Sequence, residues 1–289
     1  MHVEVSGEGA PLLLIHGWGM HGGMWGEAAE KLARHFRVLT VDLPGHGKSG
    51  KGEEGRGKIS KEGMGNGDAH PAPMARPSLP GGLPFPLPPS PFTLDAVVDQ
   101  LSAQFSEPLA VCGWSLGGQI ALRWAMRQPE QVSRLVLVAS TPCFVQRDGW
   151  SSAMAAETLA EFAAALQQNY ALTLRRFLAL QVRGSEQERE LLVSLRSALF
   201  GRGEPDLTAL QAGLEILRDC DLRSALPEVV QAALVIAGER DTLTPPQAAQ
   251  YLASRMPAAR LAMIGGAAHA PFLSHPDEFV KHVVDFLHE

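Results

Sequence analysis

The sequence is poor in cysteine, lacks an excess of basic residues and contains no long apolar run. Its three cysteines, Cys112, Cys143 and Cys220, have neither metal-site nor disulfide-framework spacing, so we expect buried thiols in a reducing compartment. The 31 acidic residues outnumber the 25 lysines and arginines, which gives a net charge of -6. This balance argues against nucleic acid as a general partner, because phosphate binding needs a concentrated basic face.

Membrane insertion and secretion are also disfavoured. No apolar stretch approaches the roughly 18 to 20 residues that span a bilayer, and the first residues contain no basic segment followed by an apolar signal core. We therefore expect a cytoplasmic protein without a membrane partner, and we expect a monomer. With 289 residues, of which 45% are hydrophobic, the chain can bury one large core or a core and a small subdomain.

Apolar strand-like runs alternate with helix-like segments along most of the chain. This pattern predicts an α/β protein with a mostly parallel, doubly wound sheet that is covered on both faces. The predicted strands are 12–16, 37–42, 109–112, 134–139, 233–237 and 260–264, and the helices between and after them include 94–105, 119–127 and 276–287. Such sheets bind ligands outside the carboxyl ends of their strands.

Two stretches depart from this alternation. Between 142 and 221 the strand signal is replaced by helical patterns at 155–166, 172–181, 186–200 and 207–217. We interpret 142–221 as a helical lid inserted between the core segments 1–141 and 222–289. Residues 50–91 are rich first in glycine and charge and then in proline, which predicts a mobile excursion. Both a tolerated insertion and a partner-binding segment fit this composition.

The pentapeptide Gly113-Trp114-Ser115-Leu116-Gly117 lies between an apolar strand and a helix. A serine held between glycines at such a turn is typical of a nucleophile elbow, which exposes the hydroxyl above the sheet. Gly-x-Ser-x-Gly alone is a weak signal, so its surroundings decide its meaning.

Candidate partners of Ser115 follow in the chain order of the α/β-hydrolase fold. His269 comes after the last predicted strand and is our candidate general base, the alternative being a structural histidine. Asp241 follows the strand 233–237 and is the candidate acid that orients the histidine. A helix cap near Pro245 is the alternative for Asp241, and Glu239 is the nearest substitute acid.

The loop after the strand 12–16 reads His16-Gly17-Trp18-Gly19. The main-chain amides of Trp18 and Leu116 are expected to form an oxyanion hole, one from this loop and one after the nucleophile. The side chains of Trp18 and Trp114 are interpreted as pocket walls or, alternatively, as ordinary core aromatics.

The sequence resembles the pimeloyl-[acyl-carrier protein] methyl ester carboxylesterases of biotin synthesis over nearly its whole length except 50–91. The resemblance is carried by the loop and elbow motifs and by Arg176-Phe177-Leu178-Ala179-Leu180-Gln181, Gly213-Leu214-Glu215-Ile216-Leu217 and Ala267-Ala268-His269-Ala270-Pro271-Phe272. It implies that Ser115, Asp241 and His269 form the triad and that Trp18 and Leu116 bind the acyl oxygen. The sequence itself suggests no metal or organic cofactor.

The resemblance further implies that an acyl channel is lined by Phe177, Leu178, Ala179, Leu180 and Gln181. Packing of the lid is the alternative role for Leu178 and Leu180. It also implies docking of an acidic acyl carrier protein on lid arginines, for which we consider Arg176, Arg183, Arg189 and Arg196. Leu172 and Val193 stand where the family pattern has arginine, and an ordinary solvated helix surface is the alternative.

The sequence therefore predicts a serine carboxylesterase that removes the methyl ester from a carrier-bound dicarboxylate. The enzymatic alternatives are a broad short-chain esterase and a hydrolase of carbon-carbon bonds. A ligand-binding protein on a hydrolase scaffold is the alternative from another class.

Overall fold

The computed structural model describes residues 1–50, 92–199 and 201–289. Within them the chain forms one sheet with the strand order β1-β3-β2-β4-β5-β6-β7. β1 pairs antiparallel with β3, and the other neighbouring pairs are parallel. The strands are β1 (His2–Ser6), β2 (Pro11–Ile15), β3 (Arg37–Asp42), β4 (Leu109–Trp114), β5 (Val132–Val138), β6 (Ala232–Gly238) and β7 (Ala259–Ile264).

The α-helices lie between and after these strands. They are α1 (Gly26–Leu32), α2 (Leu94–Gln104), α3 (Leu116–Arg127), α4 (Ala156–Gln168), α5 (Tyr170–Val182), α6 (Glu188–Leu199), α7 (Leu207–Asp219), α8 (Pro246–Arg255), α9 (Pro271–Ser274) and α10 (Pro276–Leu287). The central strands are buried on both faces, as their nearly continuous apolar sequences require. No helix of the described ranges is long and apolar enough to cross a membrane.

The predicted α/β fold is confirmed. The helices predicted within 142–221 correspond to α4, α5, α6 and α7, which follow one another between β5 and β6. We refer to residues 142–221 as the helical segment. The predicted excursion 50–91 lies outside the described residues apart from Gly50, and so does Phe200, the last residue of one predicted helix.

Arg202 anchors the connection between α6 and α7 to the sheet. Its guanidinium forms an ion pair with Glu4 of β1 and lies 3.5 Å from the buried carboxylate of Asp42 at the end of β3. Glu4 also accepts a hydrogen bond from Lys48 at 2.6 Å. Hydrogen bonding to Lys48, aided by Arg202, lowers the pKa of Glu4 to about 2. The helical segment is thus held against the β1–β3 side of the sheet by ion pairs as well as by packing.

Candidate active site

Ser115 occupies the turn between β4, which ends at Trp114, and α3, which begins at Leu116. Its backbone has φ 56° and ψ -116°, a conformation that non-glycine residues rarely adopt. The turn is tight, because a Cβ at Gly117 would lie 2.3 Å from the carbonyl oxygen of Ile15. The chain therefore holds Ser115 in a strained elbow at the carboxyl edge of the sheet.

His269 and Asp241 meet at the same edge, after β7 and β6 respectively. His269 Nδ1 lies 2.8 Å from Asp241 Oδ2, and both side chains are almost completely buried. A carboxylate at this position holds the proton on Nδ1 and leaves Nε2 free to accept one. This is the arrangement expected of a general base and the acid that orients it.

The Asp241 carboxylate is itself oriented by the turn that follows it. Its Oδ1 accepts hydrogen bonds from the main-chain N–H groups of Leu243 and Thr244, at 2.8 and 3.0 Å. The Thr244 hydroxyl donates to Oδ2 at 2.7 Å. The two main-chain donors thus use Oδ1, whereas the Thr244 hydroxyl and the histidine share Oδ2. α8 begins at Pro246 without a side-chain cap.

Trp114 connects the elbow to the histidine loop. Its indole Nε1 donates to the main-chain carbonyl of His269 at 2.8 Å. Its ring packs against Phe272 at 4.9 Å between centroids, in the buried core. The Trp114 side chain therefore packs in the core and positions the histidine loop, as the alternative interpretation described, and it is not among the residues that line the 350 Å³ cavity beside Trp18.

The hydroxyl of Ser115 and the Nε2 atom of His269 are not engaged elsewhere. Neither atom has a hydrogen-bond partner among residues 1–50, 92–199 and 201–289. Hydrogen bonds between nucleophile and base are often long before substrate binds. Neither atom is thus occupied by another described side chain or main-chain group.

Two main-chain N–H groups near Ser115 are also unengaged. Trp18 N–H and Leu116 N–H make no backbone hydrogen bond within the part of the chain that the structure describes. The loop that carries Trp18 packs against Ser115, since a Cβ at Gly17 would lie 3.3 Å from Ser115 Cβ. Free amides beside a serine, one of them at a helix N-terminus, can stabilise a developing oxyanion.

His16 fixes the backbone of the loop that carries Gly17 and Trp18 through its two ring nitrogens. Its Nδ1 lies 2.8 Å from the carbonyl of Gly17, and its Nε2 accepts the main-chain N–H of Leu43 at 3.0 Å. Complete burial, with His46 nearby, holds the pKa of His16 well below its ordinary value. His16 is therefore a neutral imidazole with one proton, on Nδ1, and its role is to fix the backbone.

The cysteines offer no competing nucleophile. Cys112, Cys143 and Cys220 are free and buried. Burial raises the pKa of all three thiols, that of Cys220 to about 12. Thiols in this state are inert, because the thiolate is the reactive form.

A cavity of about 350 Å³ is lined by residues of the helical segment and by Trp18. Its wall is mostly apolar and aromatic, and Trp18 is the residue that it shares with the loop beside Ser115. The wall consists of Trp18, Phe144, Met154, Thr158, Leu159, Glu161, Phe162, Ala165, Thr173, Arg176, Phe177, Leu180, Leu214 and Leu217. Pockets of this size and character are typical small-molecule sites.

The residues implied for an acyl channel divide into two groups. Phe177 and Leu180 line the cavity, whereas Leu178, Ala179 and Gln181 do not. Leu178 is fully buried in the core, and Gln181 is 1% exposed. The main-chain carbonyl of Gln181 accepts the N–H of His269 at 3.1 Å, so the end of α5 holds the histidine loop.

The implied docking arginines share one property. Each is exposed and forms no ion pair with another described residue, and Arg176 also borders the cavity; they are Arg176, Arg183, Arg189 and Arg196. Arg189 and Arg196 lie two turns apart on one face of α6, with Val193 between them at 65% exposure. Leu172 of α5 is 43% exposed. Unpaired guanidiniums interspersed with exposed apolar side chains can bind an acidic protein.

Sequence reasoning missed three contributors to this site. Thr244 binds the Asp241 carboxylate, Phe162 packs on Trp18 inside the cavity, and the Leu210 carbonyl accepts the Trp18 indole N–H at 2.8 Å. An Asp-x-x-Thr turn after a strand was a readable signal for Thr244. The other two contacts join residues far apart in the chain and leave no local pattern.

Residues 12–282 match the family model described as "Alpha/beta hydrolase family". Two relatives are each named pimeloyl-[acyl-carrier protein] methyl ester esterase. The protein of Nitrosomonas europaea is 41% identical over 282 residues, with 97% of each chain covered. That of Nitrosospira multiformis is 38% identical over 287 residues, with 99% of this chain and 97% of the relative covered.

Solved structures agree on the fold. An esterase from Exiguobacterium antarcticum superposes with a TM-score of 0.79 at 21% identity, covering 100% of this chain and 95% of that one. A hydrolase from Pseudomonas aeruginosa superposes with a TM-score of 0.75 at 24% identity, covering 99% and 94%. With full-length relatives at about 40% identity, the chain belongs to the alpha/beta hydrolase family and, within it, to the pimeloyl-[acyl-carrier protein] methyl ester esterases.

Proposed function

We propose that this protein is a cofactor-independent serine carboxylesterase that hydrolyses the methyl ester of pimeloyl-acyl carrier protein. The observation that carries the proposal is the buried hydrogen bond between His269 and Asp241 at the sheet edge that presents Ser115. The names of the full-length relatives support the substrate. In the family that the sequence resembles, this hydrolysis yields pimeloyl-carrier protein for biotin synthesis.

In the proposed reaction, Ser115 Oγ attacks the ester carbonyl while His269 Nε2 takes its proton. The Asp241 carboxylate stabilises the imidazolium that forms. The N–H groups of Trp18 and Leu116 stabilise the negative charge on the carbonyl oxygen. Collapse of this adduct breaks the bond to the methoxy group, and methanol leaves with the proton from His269.

The acyl-enzyme is then hydrolysed by the same groups. A water molecule gives a proton to His269 Nε2 and attacks the acyl carbonyl. Collapse of the second adduct returns the proton to Ser115 and releases the free carboxylic acid. One water is consumed, and one methanol and one acid are formed.

We further propose that residues 142–221 act as a lid over the cores 1–141 and 222–289. The apolar cavity, which is lined by this segment and Trp18, would hold the methylene chain, with Phe177 and Leu180 among its walls. Arg176 at the border of the cavity is placed to meet the polar arm that links the chain to its carrier. The anchors of Arg202 and Gln181 would keep this lid seated on the core.

The substrate proposal is tested by comparing methyl pimeloyl-carrier protein with dimethyl pimelate, which presents the same methyl ester without the carrier. We expect kcat/KM to be at least about tenfold higher for the carrier-linked ester, because carrier contacts add binding energy at the end of the substrate remote from the reacting ester. The measurement is methanol release at several concentrations of each substrate. Preference for the free diester would indicate a broad esterase, and absence of turnover on both would indicate a binding protein.

Carrier docking is tested separately by Arg189→Glu. Charge reversal is expected to lower kcat/KM for the carrier-linked ester about five- to twentyfold and to leave dimethyl pimelate unchanged within about twofold. The matched control is Arg34→Glu. Arg34 is exposed and lies three residues before the start of β3, at the amino edge of the sheet, away from the site.

The salt dependence of the same rates strengthens this test. The carrier preference should fall as ionic strength rises, because exposed charges are screened. Equal losses on both substrates in Arg189→Glu would contradict docking on α6. Equal losses in Arg34→Glu and Arg189→Glu on the carrier-linked ester would show an effect of net charge alone.

A further inference from the structure

The side chain of Trp18 is held by three helices of the helical segment. Its indole Nε1 donates to the Leu210 carbonyl of α7 at 2.8 Å. Its ring meets Phe177 of α5 and Phe162 of α4 edge-on, with centroids 4.9 and 5.4 Å away. Only 1% of the residue is exposed. The position of the indole is therefore set by Phe162, Phe177 and the Leu210 carbonyl, all of which belong to the helical segment. We call this position the indole seat.

Gly213 leaves the space for that seat. It lies within α7, one turn after Leu210, where glycine is an unfavourable residue for a helix. A Cβ at this position would lie 2.6 Å from Trp18 Cδ1 and 3.0 Å from Trp18 Nε1. Carbon atoms do not approach so closely without displacement. A side chain at 213 would therefore push the indole, which Phe162 and Phe177 prevent from moving sideways.

The same loop touches the nucleophile on its other side. Gly17 packs against Ser115, while Gly19 packs against Leu174 of α5, so the loop fills the gap between the elbow and the helices. The N–H and the indole of Trp18 are joined through one Cα. Because Phe162, Phe177 and the Leu210 carbonyl oppose rotation of the indole about χ1 and χ2, side-chain rotation relieves only part of a displacement, and the rest shifts the backbone of Trp18.

We propose that Gly213 is a positioning residue for the reaction. With the Leu210 carbonyl, it forms a seat for the Trp18 indole and thereby holds the Trp18 N–H where the oxyanion develops. The helical segment then contributes to the rate of the chemical step as well as to substrate binding. This inference rests on the proposed esterase function.

The test is Gly213→Ala. We expect kcat for dimethyl pimelate to fall about 10- to 100-fold, somewhat less than the loss of a whole oxyanion donor. KM should change less than about threefold. Inhibition by an alkylboronic acid, which forms a tetrahedral anion on the serine, should weaken by a factor similar to the loss in kcat. A substitution that only loosens the fold would not link these two quantities.

The matched control is Glu215→Ala, an exposed position on the same helix, which should leave both quantities unchanged. Reaction with a fluorophosphonate counts the folded active sites in every preparation. A wild-type kcat in folded Gly213→Ala, or a rise in KM without a fall in kcat, would refute the proposal that Gly213 positions the Trp18 N–H.

A second variant covers the case in which Gly213→Ala does not fold. Trp18→Phe removes the hydrogen bond to Leu210 and keeps an aromatic ring, and kcat and boronate affinity should again fall together, about tenfold. Unchanged values would overturn the proposal. If ester hydrolysis requires Ser115 but is unchanged in Gly213→Ala and Trp18→Phe, only this inference is refuted. If hydrolysis does not require Ser115, the proposed function is refuted.

Discussion

Replacing Ser115 with alanine is expected to lower kcat for ester hydrolysis by about 10⁶-fold, the scale seen when a serine nucleophile is removed from a triad. The substitution deletes the hydroxyl that we propose to form the acyl-enzyme, and the described residues beside it offer no substitute. The cysteine thiols are buried and their pKa values are raised. The other buried serine beside the elbow, Ser140, uses its hydroxyl to bind the Ser115 carbonyl at 2.8 Å.

The fold should survive this substitution. The Ser115 hydroxyl makes no hydrogen bond to the described residues, so its removal leaves no buried partner unsatisfied. The measurements are methanol release and thermal unfolding, with Ser106→Ala as an exposed control that should match the wild type in both. Residual turnover within about 100-fold of the wild type, in a sample free of wild-type enzyme, would refute Ser115 as the nucleophile.

The strands and the order of the site residues were readable from the sequence because they are local patterns. β4 begins with an unbroken apolar run and ends in the first two residues of the Gly-x-Ser-x-Gly motif, and hydrophobicity alone predicts where the strand begins. The loops that carry Asp241 and His269 follow runs of the same kind. Parallel strands place their carboxyl ends at one edge, so sequence order sufficed to bring these side chains to one region.

The contacts that adjust the site were not readable in this way. Trp18 and the Leu210 carbonyl are 192 residues apart in the chain, and the Trp114 indole and the His269 carbonyl are 155 apart. Such contacts are set by packing between elements, and many residue pairs fit the same hydrophobic pattern. Gly213 was visible only as a glycine in an apolar helix, a signal that does not say which side chain approaches it.

The sequence also did not predict which residues of α5 line the cavity and which are buried away from it. Helical spacing put Phe177, Leu180 and Gln181 on one face of α5, but only the first two line the cavity. Gln181 lies in the last turn of α5, where the chain leaves the helix and its carbonyl is free to bind the His269 N–H. A helix end thus gives the residue a backbone role that side-chain periodicity does not predict.

Asp241→Asn is expected to lower kcat by about 10⁴-fold, because an amide in place of the carboxylate can select the wrong histidine tautomer. The geometry makes this sensitivity specific. Oδ1 is fixed by two main-chain donors, and Oδ2 faces both Thr244 Oγ1 and His269 Nδ1. An amide that keeps its oxygen toward the two N–H groups must present its NH2 group to the histidine, which then carries its proton on Nε2.

Glu239→Gln tests whether Glu239, the nearest alternative to Asp241, is the acid that orients His269. Glu239 is exposed and makes no described hydrogen bond to His269, so its kcat should stay within about twofold of the wild type. Both variants keep the shape of the side chain they replace, which limits any difference in folding. The measurement is methanol release from dimethyl pimelate by Asp241→Asn and by Glu239→Gln under the same conditions. A large loss in Glu239→Gln together with near-normal turnover in Asp241→Asn would assign the acid to Glu239, and the buried hydrogen bond to Asp241 would then have only a structural role.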